Sequence, residues 1–152
     1  MRLVKAMLEI QPVSVTADLL SAPGGMPLII CSASPRLQKR VDAAGYKTIR
    51  VNVPLSKALL SFPKEDRPRH VEEELQKILD GSEPILLTDF EMLFDPPYEI
   101  DILKIFCERA RAVNLAVRWP GGYTPSKLTY AAPEDLDYHE YNCLKYQIRV
   151  VR

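Results

Sequence analysis

Glycine is scarce in this chain, and it is missing where a bound phosphate would need it. Only 6 of 152 residues are glycine, and no Gly-x-x-x-x-Gly-Lys-Ser/Thr string occurs. Cysteine is scarcer still. Cys31, Cys107 and Cys143 are odd in number and far apart, and neither His70 nor His139 lies near one. With no Cys-x-x-Cys spacing, a structural zinc site is not expected, and the three thiols read as reduced residues of a cytosolic protein. Net charge is absent too. Twenty Lys and Arg balance twenty Asp and Glu, so no global field draws the chain to nucleic acid or an anionic membrane. No apolar run approaches the roughly 18 residues of a membrane span. Met1 to Lys5 lacks a long apolar core with a small-residue cleavage site, so no signal peptide is expected. The expectation is a cytoplasmic protein without a membrane partner.

What is plentiful is proline, with 13 residues that fall mostly between periodic segments. They suggest rigid connections rather than disorder. The length fits one domain, residues 1–152. Leu3, Met7 and Ile10 recur at helical spacing and predict a short opening helix. Thr16 can cap a second helix carrying Leu19 and Leu20. Residues 1–25 thus read as a helical extension.

Met26 to Cys31 is a short apolar run of the kind buried on both faces of a parallel sheet. Ser32 or Ser34 can cap the next helix, with Pro35 at its first position, one face in Leu37, Val41 and Ala44, and Gly45 as a left-handed end. Lys47 to Val53 alternates as a strand, with a helix expected from Pro54. Val71, Leu75, Ile78 and Leu79 mark another helix. Ile102 to Ala110 reads as a thicker helix, and Val113 to Trp119 as a strand stopped by Pro120-Gly121-Gly122. Trp119 is expected to anchor that turn. Strands alternate with helices over 26–122, which predicts an α/β three-layer sandwich around a mainly parallel sheet. Residues 123–152 read as a β-containing tail.

The segment Pro84 to Glu91, Pro-Ile-Leu-Leu-Thr-Asp-Phe-Glu, is a buried strand that delivers Asp89 and Glu91 at its carboxyl end. This is the layout of a Walker B strand, and it makes the expected fold P-loop NTPase-like. Asp89 is the candidate Mg²⁺ ligand and Glu91 the candidate catalytic residue. On a strand the two would face the same side. Ligands of such sheets gather at the carboxyl ends of strands. Ser32 to Arg36, Thr88 to Glu91 and Arg118 to Gly122 are therefore expected to share a crevice, with Arg118 as its cation, free or paired with Asp89.

Aligned on the earlier strand, however, Ser32 stands at the first P-loop glycine, Leu37 at the second, Gln38 at the lysine and Lys39 at the hydroxyl. What remains of a nucleotide-binding loop is Ser32, Ala33, Ser34, Pro35 and Arg36, with Lys39 or Arg40 as cations in a shifted register. The same segment also fits an ordinary capped turn. ATP and Mg²⁺ are the cofactors an intact pattern would use. Weak binding or none, without efficient hydrolysis, is expected here. Duplex DNA touching Arg36 to Arg40 is a third reading, with no aromatic platform beside it.

Several strings resemble the BrxF family, the small P-loop proteins of type 3 BREX phage-defence systems. They are Arg50-Val51-Asn52-Val53-Pro54-Leu55-Ser56-Lys57-Ala58-Leu59-Leu60, then Arg67-Pro68, then Ile85 to Pro96, then Val117-Arg118-Trp119-Pro120-Gly121, then Lys127 to Ala131. Their order and spacing are also similar, over roughly residues 26–150. The resemblance implies a cytosolic accessory subunit working beside larger BREX proteins: a large P-loop ATPase, a methyltransferase and a phosphatase-like protein. The family pattern includes an intact Walker A loop. Asp89 and Glu91 carry over from it, while the phosphate-binding lysine and hydroxyl do not.

Overall fold

The computed structural model describes residues 7–22 and 24–152. Its centre is a six-stranded, wholly parallel sheet. In chain order the strands are β1 (Met7–Ile10), β2 (Leu28–Ile30), β3 (Lys47–Arg50), β4 (Ile85–Thr88), β5 (Leu115–Arg118) and β9 (Ile148–Val151). Across the sheet they run β1-β9-β2-β5-β4-β3.

The expected opening helix is corrected here. Leu3 lies outside the described residues, and Met7–Ile10 is a strand paired with β9, Met7 opposite Ile148 and Ile10 opposite Val151. Three apolar residues at helical spacing are a weak signal beside a ladder of backbone hydrogen bonds supplied by the far end of the chain. The tail is likewise no appendage, since β9 lies between β1 and β2 with Ile29 opposite Val150.

Helices cover both faces, an arrangement compatible with a three-layer sandwich. Alternate residues of each strand serve alternate layers. Ile29, Leu87, Val117 and Val150 pack against α3 (Asn52–Leu59), α4 (Arg67–Ile78) and α5 (Ile102–Ala110) through Leu55, Leu75 and Phe106. Leu28, Ile30, Leu86 and Ala116 face α1 (Ala17–Ser21) and α2 (Pro35–Ala43) through Leu20, Leu37 and Val41. The caps fall where the sequence puts them. The Thr16 hydroxyl accepts from the Leu19 N–H, the Ser34 hydroxyl accepts from the Leu37 N–H, and Gly45 ends α2 at φ +83°.

One boundary moves. The strand expected through Val53 stops at Arg50, and α3 starts at Asn52 rather than Pro54. The Val51 N–H donates to the Thr88 carbonyl at 3.0 Å and the Asn52 N–H to the Asp89 carbonyl at 2.6 Å. The ladder to β4 therefore runs straight into the first turn of the helix.

After β5 the chain makes an antiparallel three-stranded sheet: β6 (Gly122–Thr124), β7 (Lys127–Tyr130) and β8 (His139–Asn142). Leu128, Tyr141 and Cys143 join it to the larger core. The Trp119 indole N–H donates to the Thr129 carbonyl at 2.9 Å. The Trp119-Pro120-Gly121 turn is thus the anchor the sequence suggests. Among the described residues no helix is long and apolar enough to cross a membrane.

Candidate functional site

A parallel sheet places every strand tip on one edge. β5 lies between β2 and β4, with Ile30 opposite Arg118 and Leu87 opposite Val117. The tips at Ile30, Thr88 and Arg118 are therefore neighbours, as the sequence predicts. Beside them opens a crevice of about 450 Å³ lined by Gln38, Asp42, Thr48, Arg50, Leu86, Thr88, Asp89 and Arg118. Asp89 and Arg118 are the two sequence-predicted site residues that reach it. Ser32, Ala33, Ser34, Pro35, Arg36, Lys39, Arg40 and Glu91 are not among its lining residues.

The turn after β2 explains why. Cys31 to Ser34 joins β2 to α2. The Ser32 hydroxyl accepts from the Ser34 N–H at 3.3 Å, and the Ser34 hydroxyl caps α2 at Leu37. No residue of this turn has positive φ, so its N–H groups do not form the curved nest that cradles phosphate. Leu37 is 1% exposed and belongs to the core. Arg40 is turned away as well: its guanidinium donates to the Pro12 and Val15 carbonyls at 3.3 and 3.4 Å, fastening α2 to the segment before α1. Lys39 and Arg36 are exposed on α2. The crevice side of that helix carries Gln38 instead, whose amide donates to the Asp42 carboxylate at 2.8 Å.

The acidic tip also differs from a simple strand end. β4 stops at Thr88, Asp89 adopts φ +51°, and Glu91 opens a 3-10 turn, Glu91–Phe94. Strand alternation therefore does not carry Glu91 to the side of Asp89. The cause is Phe90, which is fully buried against Phe94, Phe106 and Trp119, at centroid distances of 6.1, 5.6 and 6.2 Å. Burying that ring forces the backbone around between the two carboxylates. Left-handed φ is tolerated by aspartate better than by most residues.

Asp89 has Arg50, not Arg118, as its ionic neighbour, with Nε 3.9 Å from Oδ2. Both side chains are half-exposed or more, so the pair is a weak surface contact. Glu91 accepts from the Asn52 side-chain amide at 3.4 Å, while the Asn52 side-chain oxygen accepts from the Met92 N–H at 3.1 Å. Together with its own N–H on the Asp89 carbonyl, Asn52 clamps the acidic loop at three points. Sequence reasoning missed Asn52. Its one local signal is that it is the polar residue between Val51 and Val53-Pro54, where a helix is about to begin.

Above this loop lies an aromatic shelf. Phe94 and Tyr130 stack at 4.0 Å and 6°, with Trp119 edge-on to Phe94 and His139 nearby. Burial, then the neighbouring Asp137, raises the Asp95 carboxyl above the usual carboxylate range. Burial also raises the Tyr130 phenol, with Asp137, Glu91 and Asp95 adding to the effect.

A magnesium–nucleotide pair does not fit these residues. It needs loop N–H groups around phosphate, a lysine, and a hydroxyl beside the aspartate. Here both serine hydroxyls already accept from backbone N–H groups, the hydroxyl 3.5 Å from the Asp89 carboxylate is that of its own strand neighbour Thr88 and not one from the turn, and the Arg50 guanidinium stands at Asp89. Among the described residues no group of three His, Cys, Asp or Glu side chains is placed to hold a metal ion. The cysteines are not poised for nucleophilic chemistry. Burial pushes the Cys31 thiol up to about 12, and those of Cys107 and Cys143 to about 11. Comparison with family models, curated proteins and solved structures returned no match.

Proposed function

We propose that this chain is a P-loop-type domain whose phosphate cradle has become a plain capped turn, and that it serves as an assembly or regulatory subunit in a BREX-type anti-phage system. The observation that carries the reading is the turn after β2. Its serines satisfy their own backbone, its second glycine position is a core leucine, and its basic residues lie away from the crevice. The parallel sheet beside that turn keeps six strands, which supports the reading.

Four of the five strings that resemble the BrxF family touch one another, which supports the biological setting. Arg50 to Leu60 meets Ile85 to Pro96 through Asn52. Ile85 to Pro96 meets Lys127 to Ala131 through the Phe94–Tyr130 stack, and Val117 to Gly121 meets it through the Trp119–Thr129 hydrogen bond. Their peculiar residues build one shared edge of the fold. The large P-loop ATPase, the methyltransferase and the phosphatase-like protein are the partners this reading names. The Pro63–Pro68 segment, a 3-10 turn that runs into the first residues of α4, and the Asp95–Glu99 segment are candidate contact segments.

The Mg²⁺-dependent ATPase reading through Lys39 or Arg40, Asp89 and Glu91 has two commitments against it: Arg40 to the carbonyls of Pro12 and Val15, and Glu91 to Asn52. The DNA adaptor reading retains only exposed Arg36 and Lys39 on a chain of zero formal net charge. The test is co-expression with the three BREX partners and affinity purification through this chain. At least one partner is expected to co-purify, equally with wild type and Asp89→Ala. Recovery of no partner, or loss of the complex on Asp89→Ala, contradicts the proposal.

A further inference from the structure

Two exposed apolar features stand on opposite local charge. The first is the turn between β7 and β8, where Leu136 is 94% exposed. It is flanked by Glu134, Asp135 and Asp137, with no basic residue from Ala131 to Tyr138. The turn is held firmly. The Ala132 N–H donates to the Asp135 carboxylate at 2.9 Å, the Asp135 N–H to the Ala132 carbonyl at 2.8 Å, and the Tyr138 N–H to the Asp135 carbonyl at 3.2 Å. Leu136 is thus presented on a fixed loop, so little ordering is needed when it docks.

The second feature is the outer face of α3. Val53 and Leu60 are 61% and 69% exposed. Seven residues apart, they share one stripe of the helix, and Lys57 stands between them. Met92, partly buried against the core, adjoins the stripe at Ser56. The charge within the stripe is Lys57; Lys64 follows it, with Glu65 and Asp66 next in the chain and Glu91 on the Asn52 amide at the other end of the helix. Among the described residues neither lysine forms an ion pair, and neither do Glu134, Asp135 and Asp137.

We infer that copies of this chain associate head to tail, with the acidic Leu136 turn of one copy seated on the Val53–Leu60 stripe of the next. An apolar side chain flanked by carboxylates meets an apolar stripe with a lysine at its middle, which is the complementarity that selects a partner. The contact joins two different patches, so it is heterologous and continues into a ring or filament. It needs neither nucleotide nor any BREX partner.

The test is sedimentation of the purified full chain over a range of concentrations. Wild type is expected to exceed the mass of a dimer as concentration rises, and to lose association in high salt. Leu136→Asp and Leu60→Asp each weaken association at least about thirtyfold, the scale of losing an interface hot spot. Both positions are exposed, so circular dichroism and melting stay at wild-type values. Mixed one to one, the two variants form a heterodimer and nothing larger, because each retains one working patch. A wild type that stays monomeric at its solubility limit overturns the proposal. So do single variants that assemble like wild type, or a mixture that stays monomeric or grows beyond two.

Discussion

Gly121→Ala is expected to melt about 10 °C below wild type. A Cβ at this position would lie 1.8 Å from the Thr129 carbonyl oxygen, 2.8 Å from its carbon and 3.0 Å from the Tyr130 Cα. All three are backbone atoms of β7, so no side-chain rotation relieves the clash. The strand has to move, and the Thr129 carbonyl it carries is the acceptor of the Trp119 indole. Overpacking a well-filled site costs about 1–3 kcal/mol, and a backbone clash that also breaks a hydrogen bond belongs at the upper end or above. At roughly 2–4 °C per kcal/mol for a chain of this size, about 3 kcal/mol gives the stated fall. Differential scanning calorimetry checks it. A midpoint within about 2 °C of wild type would mean that β7 is not packed against Gly121.

Phe90→Ala should cost about 3–5 kcal/mol, the range for removing a fully buried phenylalanine. The ring is 0% exposed and is shared by Phe94, Phe106 and Trp119, so the cavity opens between β4, α5 and the turn after β5. Aromatic pairs add about 0.5–1.5 kcal/mol beyond buried area. Urea unfolding is expected to show a lower midpoint with unchanged slope, the signature of a destabilised native state. An unshifted midpoint would show that Phe90 does not sit in the core. Because Phe90 is also what turns the backbone between Asp89 and Glu91, its loss is felt at the crevice as well as in stability.

What the sequence revealed was local. The Met26–Cys31 strand, the Ser34 cap, Gly45, the Val71–Leu79 helix and the acidic strand end all announce themselves within a dozen residues. The absence of a Gly-x-x-x-x-Gly-Lys-Ser/Thr string after the Met26–Cys31 strand was equally legible, because Leu37 and Gln38 follow the Ser34 cap. The rest depends on distant partners. Met7–Ile10 becomes a strand through β9, more than a hundred residues away, and an apolar pattern of four residues cannot disclose that pairing. Arg40 looked like a phosphate cation until Pro12 and Val15 came into contact with it. The Asn52 clamp and the Arg50–Asp89 pair join β3 to β4, and pattern reading within either segment does not reach across. Glu91 was misplaced because period-two alternation was carried three residues past Thr88, where β4 ends, and across the left-handed Asp89.

We propose that the parallel sheet is of a nucleotide-binding type whose anion grip has gone. Isothermal titration calorimetry of the full chain with ATP and Mg²⁺ addresses it most directly. No heat beyond dilution is expected up to millimolar nucleotide, for wild type and Asp89→Ala alike. Saturable micromolar binding to wild type, abolished in Asp89→Ala, would contradict it.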